Sequence, residues 1–349
     1  MATSITDIAT RHQVMLERFK AGKSKDYLVI AKKFEADLIK AATRLGVDSL
    51  DQLTKKELNL LISNVTKLNK KYQAAIVKDL SKDLTSLAKD ESIFEEETIN
   101  SFLLKGKAAS SANLAYAAAL TSPISATGEL LEPFIKNWSR TRITQVSGAI
   151  RKGYKEGSTL SQMTQIIRGT RANKFKDGLT NLQTRQAQAV IRTSIQHVSA
   201  TARMQTWQAN KDIIQKYRWI SVLDGRTTQR CRSLDRLEFE VGRGPMPPIH
   251  INCRSTFNFV LDPALGLGDL DKGATRSALG GEVPAKQTYY DWLKTQPKGF
   301  QNEAIGRQKT KWLNDGRLNS EQFAKLNLDR NFNPLTLDQM RDKRAMMLK

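Results

Sequence analysis

Residues 217–223 read YRWISVL, and at this point the hydrophobic period of the chain changes. Tyr217, Trp219, Ser221 and Leu223 fall on one side and Arg218, Ile220 and Val222 on the other, which is the alternation of a strand. Two further runs of this kind follow, LEFEV (237–241) and STFNFVL (255–261), with Phe257, Phe259 and Leu261 sharing a face. Upstream, apolar residues recur at three- and four-residue steps instead, as in Ile30, Phe34, Leu38, Ile39 and Ala42. The expected fold is α+β and mostly helical. An N-terminal helical region comes first, then helices with a small antiparallel sheet, then a short helical C-terminal region.

Composition shifts divide the chain into four expected segments. Residues 1–105 form an N-terminal helical region, in which Ser49 and Asp51 mark a helix start and His12 is an exposed helix residue. Residues 106–128, with the run KAASSANLAYAAALTSPISATG, form a small-residue helix and linker. Residues 129–262 hold basic helices and the sheet. Ile143, Val146, Ile150 and Tyr154 make one stripe there, and Arg142 and Lys152 fall off it. Gly157 ends that helix, Ser158 or Thr159 opens the next, and Gly169 closes it. A longer helix runs from about residue 183 to 209, with His197 on its apolar stripe as a hydrogen-bonded core residue. Residues 263–349 begin with a Gly-rich connector, ALGLGDLDKGATRSALGGEVP. Helical pieces then lie around 289–293, 303–313 and 320–326, with a last helix capped by Thr336 and a frayed RAMMLK end.

The chain has 349 residues, enough for two or three domains with real cores. No run of eighteen apolar residues offers a membrane span, and MATSITDIATRHQVMLERFK has no apolar core of a secretory leader. Two cysteines exclude a disulfide framework and read as a reducing compartment.

Charge is the strongest global signal. Fifty-six Lys and Arg against 35 Asp and Glu leave a formal net charge of +21. Between Lys136 and Arg218 sixteen basic residues meet only Glu156, Asp177 and Asp212, a local excess of +13. Such concentration points to a face with a polyanionic partner, and non-specific double-stranded DNA is the expected one. The candidate contacts are Arg140, Arg142, Arg151, Lys152, Lys155, Arg168, Arg171, Lys174, Lys176 and Arg185. A solvated face, or one that docks an acidic protein, is the alternative.

The loop LDGRTTQRCRSLDRLEFEVGRGPMPPIHINCRST (223–256) holds both cysteines, Cys231 and Cys253, and one of three histidines, His250. Thiolates and imidazole suit zinc, but a structural site takes four ligands, and only Asp224 offers itself as the fourth. No metal or other cofactor is favoured. Cys253, His250 and Asp224 also spell a nucleophile, a base and an orienting group, although no motif supports that geometry. The plainest expectation is that both thiols are small buried hydrophobes pinning the loop, with His250 bonded to backbone. Arg254 and Arg226 are placed to lock the loop by pairing with Asp224 or Asp235, or to reach phosphate.

The same residues carry a family resemblance. Trp219, Asp224, Arg226, Thr227, Cys231, Pro247, Pro248, His250, Cys253 and Arg254 stand in a pattern that resembles the core motif of Mu F-like bacteriophage head-morphogenesis proteins. EGSTLSQMTQIIRGT and VIRTSIQHVSATAR upstream, and YYDWLKTQPKGFQNEAIGRQKTKWLNDGRL downstream, resemble segments that accompany it. The likeness spans roughly residues 135–340 and leaves out the N-terminal helices. Thr228 and Ser255 stand where many relatives have two more cysteines, which counts against a metal. The resemblance implies a non-enzymatic, low-copy component of the virion, inside the phage head near the portal and in the host cytoplasm during assembly. Its implied partners are portal, capsid or scaffolding proteins and packaged DNA, and not a membrane. Two alternatives stay open, a Cys–His enzyme or injected effector and a zinc-stabilised nucleic-acid module.

Overall fold

The computed structural model describes residues 4–103, 115–262, 265 and 270–348. Three long helices dominate it: α1 (Ile5–Thr43), α2 (Lys55–Phe102) and α6 (Leu179–Ala209). Between α2 and α6 lie α3 (Ala115–Thr121), α4 (Leu131–Lys155) and α5 (Leu160–Arg168). Strands β1 (Ile214–Ile220), β2 (Glu238–Glu240) and β3 (Thr256–Leu261) follow, with the short helix α7 (Gln229–Leu234) between the first two. A hairpin of β4 (Thr275–Ala278) and β5 (Gly281–Pro284) precedes α8 (Tyr289–Lys294), α9 (Lys298–Ile305), α10 (Arg307–Asn314), α11 (Ser320–Leu326) and α12 (Leu337–Met347). The mostly helical α+β expectation holds.

The chain packs as two compact units, and neither is one continuous stretch. One takes Met1–Glu17, Glu91–Asn113 and Ala202–Lys349; the other takes Arg18–Asp90 and Leu114–Thr201. Composition had suggested cuts near residues 105, 128 and 262. The packing runs differently because α1, α2 and α6 each supply residues to both units. Residues 107–114 of the small-residue run at 107–128 lie outside the described residues; α3 begins at Ala115.

The helical unit gathers Phe34, Leu38, Leu61, Val65, Val146, Ile150, Met163 and Ile167 into one core. Its helix starts obey local chemistry. Thr54 and Glu57 cap α2 reciprocally, the Glu57 carboxylate accepting from the Thr54 N–H at 2.8 Å and the Thr54 hydroxyl accepting from the Glu57 N–H at 3.3 Å. Ser49 precedes only a 3-10 turn, Leu50–Gln52, so the helix start expected at Ser49 and Asp51 is corrected to Thr54. Thr159 and Gln162 cap α5 in the same reciprocal way. Gly153 lets α5 pack against α4, since a Cβ there would lie 2.5 Å from the Met163 sulfur. His197 is fully buried, with Nε2 2.9 Å from the Ala119 carbonyl, and burial pushes its imidazole below the ordinary value against the pull of that carbonyl. It is the hydrogen-bonded core residue that its stripe predicts.

In the other unit the sheet has the order β2-β1-β3 and is antiparallel throughout. Trp219 pairs with Phe257, and Tyr217 with Phe259 on one side and Phe239 on the other. Such β-branched and aromatic pairs across a pleat stabilise register. Trp207 from the end of α6 packs edge-on against Phe257 at 4.8 Å, which fixes helix to sheet. Below this, Tyr289, Tyr290, Trp292, Leu293, Trp312, Leu313, Phe323, Leu326 and Met340 make a second core from the C-terminal helices.

Three expectations change here. The Gly-rich connector contains the β4–β5 hairpin, with Arg276 opposite Val283 and Gly280 at φ 92° in the turn. Four-residue strands with few aromatic or branched residues give no periodic signal. RAMM continues α12 to Met347 rather than fraying. His12 is half-buried, its Nε2 2.9 Å from the Glu91 carboxylate and its ring stacked on Phe94 at 3.7 Å.

Candidate nucleic-acid interface and cysteine clasp

Thr228 opens α7 by accepting from the Cys231 N–H, and this seats Cys231 at the first turn. The return loop carries the Pro247–Pro248 pair with a cis bond and brings back His250 and Cys253. The two sulfurs lie 3.8 Å apart, and Cys231 Sγ lies 3.2 Å from His250 Nε2. Both thiols are buried among Trp219, Leu234, Ile249 and Leu328. Trp219 donates its indole N–H to Ser221, whose hydroxyl donates to the Cys231 carbonyl. His250 is half-exposed, and its Nδ1 lies 2.9 Å from the Ile251 carbonyl. The expected buried thiols and backbone-bonded histidine are therefore present.

Electrostatically the two sulfurs behave as one unit. Burial works to raise Cys253, but the neighbouring Cys231 thiol and the His250 imidazole overcome it and pull Cys253 down. Cys231 goes up, first through burial and then through the sulfur beside it. Burial would lower His250, and its contact with the Cys253 sulfur reverses that and raises it.

Asp224 is not part of this group, which corrects its candidacy as a fourth ligand or an orienting carboxylate. Its oxygens accept the two Nη groups of Arg254 at 2.7 and 2.9 Å. The N–H groups of Arg226 and Thr227 also donate to it, at 3.0 and 3.1 Å. Burial works to raise its carboxyl, and Arg254 with those hydrogen bonds holds it below the ordinary range. Arg254 is thus the loop's lock. Arg226 is not, since its side chain is 82% exposed and lies 3.9 Å from Asp224. Thr227 closes the turn by donating to the Val222 carbonyl at 2.6 Å.

Two further locks escaped sequence reading. Asp235 and Arg276 form a fully buried pair at 3.0 Å, with Asp235 also accepting the N–H groups of Ser221 and Tyr289. Asp271 receives Arg218, Arg236 and Thr6 at 2.8–3.0 Å. Asp235 was expected to pair with Arg254 or Arg226 and instead takes Arg276, whereas Asp271 stands in a segment without motif or period, so only the folded chain brings it to its arginines.

The basic residues separate by exposure. Arg140, Arg151, Lys152, Lys155, Arg168, Arg171, Lys174, Lys176 and Arg185 are all exposed, and all belong to the helical unit. Arg168 pairs with Glu35 at 2.9 Å and Lys152 lies 3.8 Å from Glu156. Among the described residues no carboxylate holds Arg140, Arg151, Lys155, Arg171, Lys174, Lys176 or Arg185. At 100° per residue, Lys136, Arg140, Arg151 and Lys155 fall within an arc of about 100° on α4. The loop between α5 and α6 adds three more cations. Its one acid is exposed but engaged within the loop: Asp177 accepts from the Thr170 N–H, the Thr170 hydroxyl and Asn173 at 2.7–2.8 Å, and these bonds lower its carboxyl to about 2. With three exposed cations against that one carboxylate, the loop keeps a net positive charge.

Arg142 is corrected. It is 1% exposed, donates to Gln183 and Tyr27 at 3.1 and 3.2 Å, and lies 4.3 Å from the Phe34 ring. Arg203 and Arg218, counted in the same charge excess, are likewise held internally. Arg203 is buried against Glu95, Thr256 and the Phe257 carbonyl.

Residues 144–258 match the family described as Phage Mu protein F like protein, a stretch that runs from within α4 through α5, α6, β1, α7 and β2 to the first half of β3. No curated protein and no solved structure matches the chain. No described helix is long and apolar enough to cross a membrane.

Proposed function

We propose that this chain is a structural minor protein of a phage head, placed inside the capsid by the portal, which holds packaged DNA through non-specific phosphate contacts. The observation that carries the reading is the exposed, largely unpaired cation set of the helical unit, from Arg140 to Arg185. A duplex presents one phosphate charge per about 1.7 Å, and a protein that covers several releases their counterions. Contacts of this kind place a protein on DNA without reading sequence. The fully buried sulfurs, with Asp224 engaged by Arg254, favour a structural clasp over a Cys–His enzyme, whose nucleophile must meet substrate.

The test is duplex DNA binding titrated with salt, for wild type and for Arg140→Glu, Arg151→Glu, Lys155→Glu combined. Wild type should lose affinity steeply with salt, and the triple variant should lower the log–log slope by roughly 0.9 for each phosphate contact removed. Equal affinity and slope in the two proteins would overturn the reading. Co-sedimentation of the variant with portal-containing procapsids separates the assembly role from the DNA role.

A further inference from the structure

We propose that Cys231, Cys253 and His250 form a Zn²⁺ site with water at the fourth position, a property that goes beyond head assembly and DNA contact. Their donor atoms all lie within 4.8 Å of one another. With Zn–S bonds of about 2.3 Å, a tetrahedral site sets its sulfurs about 3.8 Å apart. The observed sulfur–sulfur distance is 3.8 Å, far outside a disulfide's reach. The 3.2 Å from Cys231 Sγ to His250 Nε2 has only a few tenths to open to meet the corresponding S–N edge of about 3.6 Å.

The surroundings supply the second, independent argument. A metal-binding imidazole is fixed by giving its other N–H to a carbonyl or carboxylate. His250 Nδ1 stands 2.9 Å from the Ile251 carbonyl, so the proton sits on Nδ1 and the Nε2 lone pair faces the sulfurs. The thiols lie in an apolar shell with Trp219 and Ile249, which excludes competing water from the sulfur side. Among the described residues no other Cys, His, Asp or Glu joins the three, which leaves one coordination position to solvent beside the half-exposed imidazole. Two thiolates and an imidazole suit zinc, and the donor set disfavours Mg²⁺ and Ca²⁺. Held this way, the ion ties α7 to the loop that returns to β3.

The experiment uses the untagged full chain, reduced, stripped with a chelator, and titrated with Zn²⁺ against a chromophoric competitor, then with Co²⁺ alone. The expected result is about one Zn²⁺ per chain, and a Co²⁺ spectrum with thiolate charge-transfer bands and the strong visible bands of a tetrahedral ion. Cys253→Ser and His250→Gln should each weaken Zn²⁺ binding at least tenfold, with circular dichroism reporting whether each variant is folded. His250 is half-exposed, so that variant keeps the test open if the buried substitution unfolds the loop. Less than half an equivalent bound by reduced wild type, full binding retained by folded His250→Gln, or a denaturing thiol count that finds the cysteines already joined would each overturn the site. Loss of DNA binding with zinc retained, or the reverse, separates this result from the proposed function.

Discussion

Arg142 and Arg151 stand on the same helix, about 180° apart by helical geometry, and do opposite things. Arg151 faces solvent; Arg142 lies beneath, between Tyr27, Phe34 and Gln183. Arg142→Glu should therefore unfold the helical unit more easily, by about 3–5 kcal/mol in urea titration, because it places an unpaired charge in that cavity. Arg151→Glu should stay within about 0.5 kcal/mol of wild type and lose DNA affinity instead. The expectation that Arg142 falls off the apolar stripe is overturned: it stands four residues before Val146 and eight before Ile150, on the edge of that stripe, and is buried with it. Asp224 gives a second residue-scale expectation. Its folded carboxyl sits below the unfolded value, so its contribution is full above the unfolded carboxylate range and fades as pH falls through the folded value. Asp224→Ala should cost about 1–3 kcal/mol at neutral pH, and the gap from wild type should close in acid. A pH-independent gap would show that Arg254 does not set it.

At the scale of elements, glycine and aspartate make the basic loop between α5 and α6 a fixed one. A Cβ on Gly178 would lie 2.3 Å from the Arg168 carbonyl carbon and 2.4 Å from the Gly169 nitrogen, both backbone atoms that have nowhere to move. Gly178→Ala should lower the thermal midpoint by the equivalent of about 1–3 kcal/mol and weaken DNA binding as Lys174 and Lys176 shift. Asp177, with its carboxyl near 2, should keep the loop ordered until pH approaches that value, and amide chemical shifts of Thr170 and Asn173 would report its release. Element by element, legibility followed periodicity. The three main strands announced themselves through Tyr217, Trp219, Phe257 and Phe259, whose alternation and β-propensity agree. The β4–β5 hairpin did not, because TRSA and GEVP carry neither signal and become a hairpin only when Arg276 finds Asp235. Removing that partner with Asp235→Ala leaves a buried guanidinium uncompensated and should cost about 3–5 kcal/mol on denaturant unfolding.

At the scale of the whole molecule, the net charge of +21 was legible from composition, and which part of it faces outward was not. Arg142, Arg203 and Arg218 are bound inside by Tyr27, Glu95 and Asp271, partners that lie 53 to 115 residues away along the chain. Division into units was hidden for the same reason, since composition changes along the chain cannot show that Glu95 on α2 completes a core begun by Arg203 and Trp207. Residues 129–262 produced alone should accordingly lack a cooperative thermal transition and near-ultraviolet dichroism, both present in the full chain. The bonds from Thr6 to Asp271 span 265 residues. Translation at about 5–20 residues per second separates the making of those two residues by on the order of 10–50 s. Throughout that interval the first turns of α1 must be kept from other company, so chaperone occupancy of nascent chains should peak before residue 271 is made.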